Sequence, residues 1–296
     1  MKVSIVDACF PLDRQSMGMS ALMLRWQCET HGIEVVEPGA ATVLMLTCVD
    51  PRNWDQAARL KKRYPGKVLI AGGAGALSPY SIGLHADAVC VGDSTAVIER
   101  LAQNDIDGAF CLPEMWINGE TRDVIYRAGF PWDCPPIQCE DGAYRVWCGR
   151  GCKNRCAFCQ TGWAMRYQEN PKPHDLLRTI RQLKTRNLRV AYLSNDPNQH
   201  SFSDKLPVIE HGSYSVAYMR QSGLPSARQV RIGVEGVSER LRIAVFKPIS
   251  HDDLLRCTVW LNQSGKSVRW FLIAGLPSET DADWDELRCI LAEWKK

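Results

Sequence analysis

Cys152, Cys156 and Cys159, in the segment WCGRGCKNRCAFCQTG, follow one another at gaps of three and two residues. Thiolate is the soft ligand that the iron of an iron–sulfur cluster prefers, and a short loop can bring three thiolates together on an iron–sulfur cube. One iron is then left without a protein ligand. An open metal position is what a catalytic site needs and a structural site avoids, by the logic that separates catalytic from structural zinc. The competing reading is a zinc knuckle, for which His174 and Cys148 are the nearest fourth ligands; neither completes a usual zinc spacing. The other ten cysteines (Cys9, Cys28, Cys48, Cys90, Cys111, Cys134, Cys139, Cys148, Cys257 and Cys289) stand singly, and most suit small buried hydrophobes.

The elements that must position this loop can be read from periodicity. Residues 1–103 alternate short β-branched runs (KVSIVDA, ATVLMLT, KVLIAG, ADAVCVG) with helical stretches near Met19–Thr30, Asn53–Arg63 and Thr95–Gln103. Such alternation implies parallel pairing with right-handed crossovers, and ligands bind such sheets at the strands' carboxyl ends. The glycines of AGGAGAL fit tight turns there. Residues 104–143, with Pro113, Pro131, Pro135 and Pro136, form a connector in which WINGETRDVIY reads as a hairpin around Asn118–Gly119. From 144 to 296 the alternation resumes as five strand–helix units: YRVWC, RVAYLS, SVAYM, QVRIGVE and SVRWFLIAG, with helices near Asp175–Thr185, His251–Gln263 and Asp281–Trp294. The cysteine loop follows the first of these strands, at the mouth of an open parallel barrel.

Composition limits the function classes. Of 296 residues, 45% are hydrophobic and 23% charged, the balance of a chain that buries a core. The longest apolar runs, such as Val68–Ala71 and Phe271–Ala274, are far short of a membrane span. The start MKVSIVDACF lacks the pattern of a secretory signal, and thirteen cysteines is an odd count; both favour a reducing, cytoplasmic setting without a disulfide framework.

With Phe158 just before the last cysteine, Cys152-x-x-x-Cys156-x-x-Cys159 resembles the motif of the radical S-adenosylmethionine (radical SAM) superfamily. The resemblance implies an α/β fold, an N-terminal Rossmann-like parallel sheet followed by a partial (β/α) radical SAM barrel. It also implies a 4Fe-4S cluster on the three cysteines, whose fourth iron chelates S-adenosylmethionine. One-electron reduction by a donor such as flavodoxin or ferredoxin then cleaves the sulfonium to a 5′-deoxyadenosyl radical that abstracts a substrate hydrogen. RIGVEGVSERLRIAVFKPIS resembles the fourth-strand segment of these enzymes, with Glu235 and Ser238 facing the cofactor. FLIAGLPSET resembles the fifth, with Ile273 and Gly275 against adenine, where Phe158 also lies. In SNDP the usual glycine-glycine-glutamate is absent, which leaves Asn195 and Asp196 as substitutes. These barrels usually have six units, so the fifth as the last leaves an open edge.

The domain order and the connector ending FPWDCPPI resemble radical SAM enzymes with an N-terminal cobalamin-binding-like domain. No His lies between Asp7 and Gly18 to ligate cobalt; cobalamin is possible but not favoured. The methylthiotransferase branch would need a third cysteine beside Cys9 and Cys48, where Gly72–Gly73 stands, and Cys90 lies inside a later strand. Residues 144–190 carry eleven Lys or Arg against Glu169 and Asp175, a local charge of +9. Beside the mouth this suits a nucleotide or nucleic-acid substrate; around Arg178–Arg189 it equally suits a solvated helix face. Trp147 and Trp163 flank the cysteines and could shield a radical or stack on a base. The reading that follows is a radical SAM enzyme modifying or isomerising an organic substrate, such as a nucleobase in DNA hypermodification. The alternatives are a cobalamin-dependent methyltransferase and a non-enzymatic, metal-stapled nucleic-acid-binding protein.

Overall fold

The structure, a computed structural model, describes residues 1–10, 17–48, 50, 53–77, 79–117, 129–194, 199–206, 211–223 and 228–294. The chain divides into two units, Met1–Val146 with Arg186–Arg189, and Trp147–Thr185 with Val190–Lys296.

The first unit runs β1 (Lys2–Asp7), α1 (Met19–Thr30), β2 (Glu34–Val35), β3 (Val43–Thr47), α2 (Trp54–Arg63), β4 (Val68–Gly72), α3 (Pro79–Gly83), β5 (Ala88–Cys90), α4 (Thr95–Ala102), α5 (Ile106–Phe110) and β6 (Met115–Trp116). The six strands form one sheet in the order β2-β1-β3-β4-β5-β6, parallel except for β6. Side chains alternate across a strand, so β3 feeds two cores at once. Val43 and Met45 pack with Leu24 of α1 and Ile98 of α4. Leu44 and Leu46 pack with Leu60 of α2 and Ile82 of α3. Burial on both faces is why this strand reads as an unbroken apolar run.

The sheet continues past residue 103. Asp105 caps α5 by accepting from Gly108 N at 2.8 Å. Val91 N then donates to Glu114 O at 2.9 Å, which starts the antiparallel β6. The hairpin expected around Asn118–Gly119 lies outside the described residues. The connector instead shows β7 (Ile137–Gln138) pairing antiparallel with β8 (Tyr144–Trp147).

In the second unit follow β9 (Gly149–Arg150), α6 (Gln160–Ala164), β10 (Gln168–Glu169), α7 (Pro173–Thr185), β11 (Val190–Leu193), β12 (His211–Tyr214), α8 (Val216–Ser222), β13 (Gln229–Glu235), α9 (Glu239–Ala244), α10 (His251–Gln263), β14 (Ser267–Leu272) and α11 (Asp281–Trp294). β12, β13 and β14 form a parallel sheet. On β13, Val230, Ile232 and Val234 are buried against Leu254, Cys257 and Leu261 of α10, while the alternate residues face the other side.

One expected strand is a helix. Ser215 of SVAYM accepts from Tyr218 N at 3.1 Å and caps α8, whose Val216 and Met219 are buried at helical spacing. A four-residue apolar run fits either period, and the capping serine decides it. The strand is the preceding HGSY.

Candidate functional site

The cysteine loop links the antiparallel pair β9 and β10 through α6. Cys159 N donates to Cys156 O at 3.0 Å, closing a tight turn, and Trp163 Nε1 donates to the same carbonyl at 3.0 Å. Arg155 lies 5.5 Å over the Trp163 ring, so tryptophan and arginine brace the loop from outside. Cys156 is buried, whereas Cys152 and Cys159 are half-exposed.

Gln199 fixes the opposite side. Its Oε1 accepts from Lys153 N at 2.7 Å, which leaves its Nε2 to donate to Cys152 Sγ at 3.3 Å. Its carbonyl accepts from Lys153 Nζ at 2.8 Å and Tyr167 Oη at 2.7 Å. Tyr167 also meets Glu169 Oε1 and His200 Nδ1, each at 2.9 Å, and Ser194, just beyond β11, lies 2.7 Å from His200 Nε2. This connected network holds the glutamine rigidly. Nothing in the sequence pointed to it, because Gln199 and Cys152 are 47 residues apart along the chain and the contact needs the fold.

At the end of β13 the register shifts between Gly233 and Glu235, and Glu235 takes φ 67°, a left-handed conformation rare outside glycine. Its carboxylate pairs with Lys247 Nζ at 2.9 Å. Both groups fold back over Gly233, where a Cβ would lie 2.5 Å from Glu235 Oε1 and 2.7 Å from Lys247 Nζ. The turn carrying Lys247 meets the cysteine loop directly, with Ala157 N donating to Val245 O at 2.9 Å, and Phe246 in that turn has φ 57°. Strained backbone of this kind persists where surrounding structure over-determines it, and it gathers at functional sites. Here the clamp is Arg242, fully buried, whose Nε donates to Ile249 O at 2.7 Å and whose Nη1 donates to Gly236 O at 3.3 Å. Burial pushes the Cys156 thiol up; the Lys247 charge opposes this, and the neighbouring Cys159, Cys152 and Glu235 reinforce it.

Glu235 and Ile273 are joined, with Ile273 N donating to Glu235 O at 2.8 Å. Gly275, at φ 78°, is exposed, and its N–H donates to Glu279. Phe158 is 41% exposed. Ser238 is only 1% exposed; it caps α9 through Leu241 N and donates to Asp283 at 2.5 Å, so its hydroxyl is committed within the fold. Asn195 and Asp196 lie outside the described residues. Beside Cys156 opens a cavity of about 350 Å³ lined by Asn154, Gln199, Tyr218, Phe246 and Lys247 among others.

Among the described residues, no three His, Cys, Asp or Glu side chains converge on one metal-ion position. A 4Fe-4S cluster makes a different demand, since each cysteine takes its own iron at a separate corner of the cube. The donor set fits that demand. There are three thiols on one loop, an amide N–H on one sulfur and a cation beside another.

The other motifs separate. α7 buries Leu176, Leu177 and Ile180 and exposes Arg178, Arg181 and Lys184, so this part of the basic stretch is a solvated helix face. Lys153, Arg155 and Arg166 belong to the cysteine loop. In the first unit, Gly73 has φ 97°, and a Cβ there would lie 2.5 Å from Cys48 O; these glycines serve backbone packing.

No family model and no curated protein matches the chain. Solved structures do. The radical S-adenosylmethionine methyltransferase TsrM from Kitasatospora setae, with tryptophan substrate and a SAM analog bound, aligns over 99% of this chain and 71% of its own at TM-score 0.70 and 12% identity. The cobalamin-dependent S-adenosylmethionine radical enzyme OxsB, with aqua-cobalamin and S-adenosylmethionine bound, aligns over 98% of this chain at TM-score 0.68 and 13% identity. This chain spans about half of OxsB, 51% of its length. The fold is that of the cobalamin-dependent radical SAM enzymes. Both units share it, the N-terminal sheet as well as the part that carries the cysteines.

Proposed function

We propose that this chain is a radical SAM enzyme, with Cys152, Cys156 and Cys159 holding a 4Fe-4S cluster. The observation that carries the reading is the three-cysteine loop following β8 in a chain with this fold. When bound, the cluster supplies one electron for cleaving S-adenosylmethionine to a 5′-deoxyadenosyl radical. The chain's own residues position and shield. Gln199 and the Val245–Lys247 turn hold the loop from two sides. Glu235, Ile273, Gly275 and Phe158 are the groups proposed to border S-adenosylmethionine, and Ser238 acts at one remove by fixing the turn after β13. Asn195 and Asp196 are proposed from sequence alone. A flavodoxin- or ferredoxin-type donor in the cytoplasm would supply the electron, in keeping with thirteen free thiols. The substrate proposed is a nucleotide or nucleobase, with modification or isomerisation as the outcome.

Anaerobic reconstitution with iron and sulfide, then a strong reductant and S-adenosylmethionine, is expected to release 5′-deoxyadenosine. A preparation that holds four irons and never forms it would overturn the reading. Deuterium transfer from a candidate substrate into the adenosyl carbon identifies the hydrogen donor.

The second reading is a cobalamin-dependent methyltransferase. Its support is that the likeness to TsrM and OxsB takes in the N-terminal sheet. Cobalt would then bind without a histidine between Asp7 and Gly18. Cobalamin retained through purification, with methyl transfer to substrate, would place this reading first.

A further inference from the structure

The face of the β12-β13-β14 sheet opposite α10 carries an uncompensated cationic row. In register, Ser213 neighbours Arg231, and Arg231 neighbours Arg269. All three lie on the side away from Val230, Ile232, Val268 and Trp270, which pack into the α10 core. Arg231 is half-buried, and Ser213 and Arg269 are exposed. Like charges set side by side on adjacent strands repel and destabilise a sheet. Elsewhere in this unit Lys247 is matched by Glu235 and Arg240 by Asp283. Arg231 and Arg269 have no carboxylate partner among the described residues. One row further along the same face, the register sets Gly233 beside the exposed ring of Phe271, and the Glu235–Lys247 pair folds over that glycine toward Cys156.

We propose that Arg231 and Arg269, with Ser213, bind the phosphate monoester of the substrate, whose body runs along the strands past Phe271 toward the cysteine loop. Two guanidinium groups supply planar, multidentate donors and two positive charges, matching a dianion; a phosphodiester carries only one charge. From Arg231 to Glu235 is four residues, roughly 13 Å at about 3.3 Å per residue, so an anion held at the row leaves its body reaching toward the strand ends. Phe271 offers that body an exposed aromatic face. That the anion belongs to the substrate rests on the proposed function; that the row binds phosphate does not.

The test is equilibrium binding of a nucleoside 5′-monophosphate, the matching nucleoside and a single-stranded oligonucleotide without a terminal phosphate to the full-length chain and to Arg231→Gln and Arg269→Gln. The expected result is that the monophosphate binds at least about tenfold more tightly than the nucleoside, each substitution removes about tenfold, and the oligonucleotide is little affected. The thermal midpoint is measured alongside. Relief of like-charge repulsion is expected to raise it in Arg231→Gln, whereas a structural role for these arginines would lower it. Unchanged monophosphate affinity in the double variant would overturn the site, and equal losses for monophosphate and oligonucleotide would overturn the monoester assignment. Iron content and substrate-free release of 5′-deoxyadenosine are read in the same samples. A chain that binds phosphate through the arginines and makes no 5′-deoxyadenosine keeps the site and rejects the radical SAM reading.

Discussion

Cysteines and glycines follow strands in both units, yet the two sets of strand ends do opposite things. After β3 and β4 the chain closes on itself. Cys48 N donates to Gly72 O at 2.7 Å, Gly75 N donates to Cys48 O at 2.9 Å, and Gly73 lets the two turns touch. Cys48 is 1% exposed, and burial pushes its thiol up to about 12. A thiol so desolvated stays protonated and behaves as a small hydrophobe. After β8 and β13 the turns stay open, with Cys152 and Cys159 half-exposed, a cavity beside Cys156 and an ion pair next to it. Residue type is shared between the regions; solvent access and neighbouring charge separate the proposed cluster cysteines from a core residue.

The sharpest way to break this contrast is a matched pair of substitutions. Cys156→Ala is expected to lose the four-iron cluster and drop 5′-deoxyadenosine to background, measured by iron analysis and chromatography. Cys48→Ala is expected to keep both at the level of the unaltered chain and to lose about 1 kcal/mol of stability. Iron retained in Cys156→Ala, or lost in Cys48→Ala, would dissolve the distinction.

Gly73→Ala tests the closed turns. Left-handed strain and the contact with Cys48 O should together cost about 2–4 kcal/mol in denaturant unfolding, with iron content per folded molecule unchanged.

Gln199→Glu tests the open loop more finely. A carboxylate can still accept from Lys153 N but sets an acceptor against Cys152 Sγ in place of a donor. Hydrogen bonds to sulfur and local charge set cluster potentials. The substitution should disfavour the reduced cluster by roughly tenfold, about 59 mV for one electron, in an EPR-monitored redox titration.

The smallest effect concerns acid stability. Asp283 is buried, and hydrogen bonds from Ser238, Arg240 and Thr280 hold its carboxyl well below the usual carboxylate range. A depressed folded-state value means stability that is present above the unfolded value, about 3.9, and lost as pH falls toward the folded one. Asp283→Asn should therefore lower the thermal midpoint at neutral pH, and the difference should shrink with acidification below pH ~4. A constant difference would remove the carboxylate from the account.

Much of the frame was legible in residue order. β13 and the helices Met19–Thr30 and His251–Gln263 stand where their periodicity puts them, because each buries one face and local spacing suffices to say which. SVAYM misled because four residues cannot distinguish two periods. β6 escaped notice because a two-residue strand carries almost no pattern and exists only through its pairing with β5. Gln199, Lys247 and the Arg231–Arg269 row were missed as well, since each acquires meaning from a neighbour distant in the chain.

The sequence by itself determined the donor set, three soft ligands spaced for one loop, and the alternation that builds a parallel sheet, because both depend on neighbours along the chain. Which cysteines stay wet, which serine is used up in a helix cap and which arginines stand side by side were decided only by the tertiary structure. Those properties follow from burial and from the company of charges, and a folded chain sets both by bringing remote residues together.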